Sequence, residues 1–192
     1  MPISEYVSVF VSIIVGLAIA DLLISFHRLI RVGSPIRWYW LVPLLSVYLL
    51  LAIVAFWWGS YVWYLHIRTL TMGQFLPTLL AAIAIFLLAA AILPDEIPNG
   101  RPLDLKAWYV ENSRQIWILA SFALLLVMIC YAAGSITDRK TAIRFAWSQW
   151  ENFVLLAGSV ALIFTKRLRL HEAYVVLAVI DMAYSAAVLR IG

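Results

Sequence analysis

Apolar residues occur in six long runs that are separated by short polar connections. Each run is close to the roughly 20 residues that a helix needs to cross a bilayer. The runs cover residues about 6–28, 39–63, 74–94, 115–134, 145–165 and 170–190. None alternates apolar and polar residues at period two, as the strands of a transmembrane barrel would. The pattern predicts an all-α integral membrane bundle of six transmembrane helices, forming a single domain over residues 1–192.

Composition predicts that lipid surrounds most of this bundle. Hydrophobic residues make up 65% of the chain and charged residues only 12%, whereas soluble domains have about 45–50% and about 25%. So much apolar surface cannot fit into one water-facing core, so the lipid bilayer is the predicted partner. The net charge of +4 comes from Lys and Arg at the ends of the runs. This placement indicates membrane topology, and nucleic acid is not a predicted partner.

Lys and Arg are distributed unequally between the two sides of the predicted bundle. One side carries nine of them, namely Arg28, Arg31, Arg37, Arg101, Lys106, Arg114, Lys166, Arg167 and Arg169. The other side carries five, namely Arg68, Arg139, Lys140, Arg144 and Arg190. Because cytoplasmic loops are enriched in Lys and Arg, the first side is predicted to face the cytoplasm and both termini to lie outside.

Trp and Tyr gather near the ends of the apolar runs, as in RWYW at 37–40, Trp108-Tyr109 and WSQW at 147–150. Rings with an apolar body and a polar tip settle at the level of the lipid headgroups. These residues are therefore predicted to form interfacial belts, with a ligand site lined by aromatic rings as the alternative.

Asp21 lies inside the first apolar run, where a charged side chain costs about 2.5–3.5 kcal/mol on insertion scales. Ser25 and Arg28 follow on the same face of the predicted helix. The three residues form either a structural clasp or part of a proton or cation site. If Arg28 pairs with Asp21, replacing Asp21 by Asn destabilises the fold. If Asp21 lines a pathway, folding survives the replacement and flux changes.

Two further acids fall inside predicted helices. Asp181 lies in the middle of the last run, with Ser185 one turn further on, and Glu151 follows WSQW in the fifth run. A rise of 1.5 Å per residue separates Asp21 and Asp181 in depth by only about 6 Å. Both are therefore predicted to belong to one polar zone in the inner half of the membrane. A hydrogen bond between helices is the structural alternative for Asp181.

Small residues recur every four positions along the first predicted helix. The ladder comprises Ser8, Ser12, Gly16 and Ala20. In lipid, small residues let helix backbones approach each other and gain dispersion contacts. The first helix is therefore predicted to be central or to lie at a subunit interface, and the chain to form a homo-oligomer, most simply a two-fold dimer.

The histidines offer a possible metal site. His27 and His171 fall at the predicted cytoplasmic ends of their helices, and Glu172 follows His171. However, no HxxxH or ExxH spacing occurs, and no two histidines share a predicted helix. The prediction is interfacial histidines without a metal or cofactor. No nucleophile elbow, P-loop or dinucleotide fingerprint is present, so no catalytic residue is predicted and the chain is not expected to be an enzyme.

Several segments resemble a family of small bacterial multi-pass membrane proteins of unknown function. They are IVGLAIADLLISFHRLIR followed by RWYW, and AAAILPDEIP with DLKAWYVENSRQIW. The resemblance covers most of the chain. It implies a bacterial inner-membrane location and no particular chemistry.

Two classes of function follow from the buried acids. The first is a small channel or transporter whose polar pathway involves Asp21, Asp181 and Glu151. The second is a non-transporting scaffold or sensor subunit, in which the same acids are structural. A pathway predicts that the three acids converge on a water-accessible cavity, whereas structural clasps predict that each acid is bonded to a neighbour.

Overall fold

The computed structural model describes residues 3–31, 36–65, 71–94, 102–135 and 137–188. Within these ranges the chain forms seven α-helices and two very short β-strands. The helices are α1 (Ile3–Arg31), α2 (Leu41–Leu65), α3 (Met72–Ala91), α4 (Leu105–Ser135), α5 (Arg139–Ser148), α6 (Trp150–Phe164) and α7 (Leu168–Val188), and the strands are β1 (Ile36–Arg37) and β2 (Leu103–Asp104). The predicted all-α class is confirmed.

Four of the described helices are long and apolar enough to cross a bilayer. The spans are Glu5–Arg31, Leu41–Tyr64, Met72–Ala91 and Leu105–Ala133. The apolar helix α6 has 15 residues, or about 22 Å, which is less than the roughly 30 Å of a bilayer's hydrocarbon core. The chain is thus a multi-pass helical membrane protein, and the count of six spans stays a prediction.

α4 begins ten residues before its predicted start at 115. Asp104 caps it, because its Oδ1 accepts hydrogen bonds from the backbone N–H groups of Lys106 and Ala107, each at 3.0 Å. Such an acceptor satisfies donors that a helix start leaves unpaired. Polar residues between 106 and 114 interrupt the apolar run, but their helix propensities are compatible with a helix. The hydrophobic pattern therefore predicts the membrane-spanning part of α4 but not the first ten residues of the helix.

The predicted fifth segment is divided into two helices. α5 ends at Ser148 and α6 begins at Trp150, with Gln149 at φ −110° and ψ 14° between them. α5 begins at Arg139 because Asp138 Oδ1 accepts a hydrogen bond from the Thr141 N–H at 2.7 Å, which is a standard helix cap. The division moves Glu151 from the interior of a predicted helix to the first turn of α6.

Six of the helices pack into a closed ring. α1 packs against α3, α3 against α4, and α4 against α6. α6 then contacts α7, and α7 contacts α2, which returns to α1. α2 also touches α3 and α4. Each helix of the ring thus has two principal neighbours and one outward surface.

The outward surfaces are apolar, as lipid requires. On α1, Val11, Ala18 and Leu22 are buried, whereas Ile13 and Leu17 are more than half exposed. The buried face and the exposed face of α1 both carry hydrophobic side chains, so the two faces differ in burial but not in polarity. In water such a surface would be unfavourable, and in hydrocarbon it is the expected solvent boundary.

Close contact between α6 and α7 depends on Gly158. A Cβ at this position would lie 2.5 Å from Cε2 of Tyr174, which is too short for two carbon atoms. The Tyr174 ring occupies that space, and its hydroxyl donates to the Leu155 carbonyl at 2.7 Å. A glycine is therefore required for this pair of helices to approach.

Three connections meet at one end of the bundle, which we call the cross-linked end. Here β1 and β2 pair in parallel, with Ile36 opposite Leu103 and Arg37 opposite Asp104. The first turns of α2, α4 and α7 lie at this end. At the opposite end, which we call the α5 end, α5 follows the last turn of α4.

Candidate functional site

Asp21 is the most anomalous polar group in the described part of the chain. It lies on α1, ten residues before that helix ends at Arg31, so its depth from the cross-linked end is about 15 Å. The Oδ2 atom is buried and accepts no hydrogen bond, and it is the only buried side-chain nitrogen or oxygen of the described residues in this condition. A buried polar atom without a partner is rare in native proteins and calls for an explanation.

The predicted partners of Asp21 lie on the same helix. Ser25 is 3% exposed, whereas the Arg28 side chain is on the exposed side of α1. Neither donates a hydrogen bond to Asp21 Oδ2. The two interpretations of Asp21, as a clasp or as part of a pathway, stay predictions.

Asp181 has a different environment. It is half-buried on α7, 13 residues after that helix begins at Leu168, which corresponds to a depth of about 20 Å. It lies close enough to Tyr48 on α2 and Tyr174 on α7 to interact with them electrostatically. Ser185, one turn further along α7, is also half-buried.

The three acids are carried by three different helices of the ring. α1 and α7 both pack against α2, so Asp21 and Asp181 lie at similar depths on two helices that share a neighbour. Glu151 is half-buried in the first turn of α6, where a carboxylate is favourable beside the helix N-terminus. None of the three is among the described residues that line the cavities of about 340 and 430 Å³.

The ladder of small residues on α1 has two halves with different surroundings. In the first half, Ser12 Oγ donates to the Ser8 carbonyl and accepts a hydrogen bond from Trp57 Nε1 at 2.8 Å. In the second half, Gly16 and Ala20 are exposed, and a Cβ added at Gly16 would meet no atom within 4 Å. The first half therefore packs against α2, and the second half faces outward.

A buried network around His171 was not predicted from the sequence. His171 is 1% exposed in the first turn of α7, and Tyr109 and Trp117 of α4 are equally enclosed. The Nδ1 atom lies 2.8 Å from the Tyr109 hydroxyl and 2.8 Å from Trp117 Nε1. The Nε2 atom lies 3.1 Å from the Thr165 carbonyl. The imidazole thus connects α4, α7 and the turn between α6 and α7.

The partners of His171 assign its protonation state. A carbonyl oxygen only accepts, so the proton must be on Nε2, which donates to Thr165. An indole N–H only donates, so Nδ1 must accept from Trp117. These two bonds are satisfied together only by the neutral imidazole protonated at Nε2. A second proton on Nδ1 would point at the indole N–H.

A second set of contacts closes the cross-linked end. The Tyr39 hydroxyl donates to Glu172 Oε1 at 2.7 Å, and the Lys106 ammonium lies 5.9 Å from the centre of the Tyr39 ring. Burial and the hydrogen bond to Glu172 raise the pKa of Tyr39 well above its ordinary value. Arg37 and Asp104 form an exposed ion pair at 4.0 Å. These contacts join the connection before α2 to α4 and α7.

His27 and His171, the two histidines considered for a metal site, therefore have different environments. His27 is exposed near the end of α1, whereas His171 is buried and fully bonded. Among the residues that the structure describes, no group of three His, Cys, Asp or Glu side chains could hold a metal ion. Tyr109, predicted to be an interfacial ring, is instead part of the His171 network. Tyr109 and Trp117 are eight residues apart, which places them on one face of a helix. The helix predicted from the sequence begins at 115 and excludes Tyr109, so this shared face was not recognised.

The fold defines a multi-pass helical membrane protein. No family model, no curated protein and no solved structure matches this chain. The resemblance to small bacterial multi-pass membrane proteins therefore stays a prediction.

Proposed function

We propose that this chain is a small channel or transporter of the bacterial inner membrane, in which Asp21 binds a proton or a cation. The observation that supports it most is the buried Oδ2 atom without a hydrogen-bond partner. An ionised carboxylate in such a place is strongly disfavoured unless a cation, water or a proton compensates it. Ionisable residues at membrane depth mark ion pathways and proton relays.

The proposed pathway passes along the contact of α1 with α2. Asp181 adds a second carboxyl at similar depth, beside Tyr48 of α2. Ser25 and Ser185 are the neighbouring hydroxyls on α1 and α7. In this proposal α6 and α7 also cross the membrane, which gives six spans, and Glu151 lies at the entrance because it begins α6.

Flux through purified protein in liposomes tests the proposal. Vesicles are given a pH gradient or a gradient of a monovalent cation, and the decay is followed with an entrapped dye. We expect faster decay with the wild-type chain than in protein-free vesicles, and decay at the protein-free rate with Asp21→Asn. Glu111→Gln is the matched control, because it removes an exposed carboxylate of α4 and is expected to keep wild-type flux.

A non-transporting scaffold or sensor subunit is the second candidate. The observation that favours it is that the three acids do not line a common cavity among the described residues. In the same assay this candidate predicts that wild-type and protein-free vesicles decay at the same rate for every ion. Asp21 would then bind its partner from another protein or a second copy.

Orientation is part of the proposal. We propose that the cross-linked end faces the cytoplasm, since it carries the larger share of Lys and Arg, and that both termini lie outside. A C-terminal alkaline phosphatase fusion should then be active and a C-terminal fluorescent-protein fusion dark. Bright fluorescence with an inactive phosphatase would reverse the assignment.

A further inference from the structure

α5 has the properties of a helix that lies in the membrane interface. Its charged side chains are all basic, namely Arg139, Lys140 and Arg144. Ile143 is 53% exposed and Trp147 is 77% exposed. In the part of the chain that the structure describes, none of the three basic groups lies within 4 Å of a carboxylate. Basic residues combined with exposed Trp and Ile are typical of helices that sit at the headgroup boundary.

A cavity of about 340 Å³ lies between α5 and the last turns of α4. Its polar lining consists of Tyr131, Ser135, Thr141, Arg144, Ser148 and Gln149. No acid lines it. The carboxylate nearest in sequence, Asp138, is engaged in capping α5 through the Thr141 N–H and hydroxyl. Arg144 is therefore the only charged group among the described residues that line the cavity, which makes the cavity complementary to an anion.

The position of the cavity matches the headgroup layer. Tyr131 belongs to the α4 span, which ends at Ala133, and Ser135 follows that end. A space of this size exceeds the roughly 30 Å³ of one water molecule about tenfold, which leaves room for a phosphodiester and a small polar group. Ile143 and Trp147 precede the lining residues Arg144 and Ser148 in α5, and their exposed apolar surfaces suit the adjoining acyl region.

We propose that this cavity binds the phosphate group of an anionic phospholipid. The Arg144 guanidinium donates two parallel hydrogen bonds to the phosphate oxygens, and the Ser135 hydroxyl supplies a further donor. Arg139 and Lys140, one turn away, attract the negative headgroup without contacting it. A free phosphate ester has the same anionic chemistry, but the amphipathic α5 and the end of the α4 span favour the lipid. The site is independent of the transport proposal, because none of the intramembrane acids lines it.

Native mass spectrometry of the purified protein in a neutral detergent tests this assignment. The protein is titrated with phosphatidylglycerol, with phosphatidylcholine and with glycerol 3-phosphate. We expect the wild-type chain to retain one phosphatidylglycerol, and Arg144→Gln to bind it about tenfold more weakly. Arg144→Lys keeps the charge but loses the planar fork, so an intermediate affinity is expected. Arg114→Gln, on the exposed side of α4, is the matched control and should bind as the wild type does.

Three outcomes would overturn the proposal. The first is equal binding of phosphatidylglycerol and phosphatidylcholine, since it would show that negative charge is not recognised. The second is wild-type binding by Arg144→Gln. The third is binding of glycerol 3-phosphate as tight as that of phosphatidylglycerol, which would assign the cavity to free phosphate esters.

Discussion

His171 and Asp21 are both polar side chains inside a ring of apolar helices, but their surroundings are opposite. Each ring nitrogen of His171 has a hydrogen-bond partner, and these partners come from α4 and from the turn before α7. Asp21 Oδ2 is buried without any partner. His171 is 1% exposed, and Asp21 is half-buried.

The difference separates two uses of a buried polar group. A fully bonded group fixes the arrangement of the elements that it joins, and removing it leaves several partners unsatisfied. A group without partners contributes nothing comparable to the fold, so its presence indicates a role that appears only when a proton, an ion or another molecule arrives. The expected consequences of mutation follow this division.

The largest loss of stability is expected for His171→Ala. The change removes the imidazole that the Trp117 N–H, the Tyr109 hydroxyl and the Thr165 carbonyl share, and it opens a cavity. The hydrogen bond from Trp117 Nε1 to the Tyr109 hydroxyl at 3.0 Å remains. We expect the free energy of unfolding to fall by about 3 kcal/mol, measured by denaturant titration in one detergent. His27→Ala is the matched control, because His27 is exposed at the same end, and it should change stability by less than about 0.5 kcal/mol. Equal losses for both variants would show that the network does not stabilise the fold.

Tyr39→Phe should have a smaller, pH-dependent effect. It removes the hydroxyl that donates to Glu172 and should lower the free energy of unfolding by about 1 kcal/mol near neutral pH. Burial and this hydrogen bond raise the pKa of Tyr39 in the folded chain, so the neutral phenol is favoured there. Its contribution is complete below the ordinary pKa of 10.0 and is lost as the pH rises through the higher folded value.

The difference between wild type and Tyr39→Phe should therefore narrow above pH 10. Unfolding curves at several alkaline pH values measure it. Trp40→Phe at the neighbouring, exposed ring controls for loss of aromatic surface. A difference that stays constant or widens with pH would contradict the assignment of the Tyr39 hydroxyl.

Gly16→Leu should leave the stability of the monomer unchanged, and it tests whether the chain forms a homo-oligomer. Open space surrounds Gly16 in the chain, so a larger side chain meets no internal obstacle. If a second copy packs on this half of the ladder, the substitution separates the backbones and shifts the protein toward monomer. Light scattering at matched concentrations measures the mass. Ser12→Leu is the comparison, since it removes the acceptor of the Trp57 N–H and should reduce stability of the chain itself.

A monomeric wild-type protein would instead show that the outward half of the ladder meets only lipid. In that case Gly16→Leu should change neither mass nor stability.

Particular elements show how far the sequence alone predicts this molecule. The long apolar runs predict the bounds of α1, α2 and α3 within a few residues. A backbone in lipid must satisfy its hydrogen bonds internally, and for a single apolar segment this requires a helix. The cap at Asp104 and the break at Gln149 depend on local hydrogen bonds, so the beginning of α4 and the separate α5 were missed. The bonds of His171 join residues 54 and 62 positions apart, and periodicity along one helix carries no information about them.

For Asp21 the sequence predicts the depth in the membrane, but it does not determine which group, if any, binds the carboxylate. Ser25 and Arg28 share its predicted face, whereas Asp181 has no arginine within reach along its own helix. The sequence alone therefore predicts that Asp21→Asn costs more stability than Asp181→Asn. Because Asp21 Oδ2 accepts no hydrogen bond, the pairing on which this order depends is not formed at that atom. A helical projection gives the face of a residue, but it does not say whether the side chains on that face meet.

The most direct test of this account is the free energy of unfolding of Asp21→Asn, measured beside His171→Ala in the same detergent. Since Oδ2 accepts no hydrogen bond, an amide of the same shape removes no bond from that atom and lowers the charge inside the membrane. We expect Asp21→Asn to be within about 0.5 kcal/mol of the wild type, or more stable. A loss as large as that of His171→Ala would show that the carboxylate holds the fold together and would contradict its assignment as a functional group.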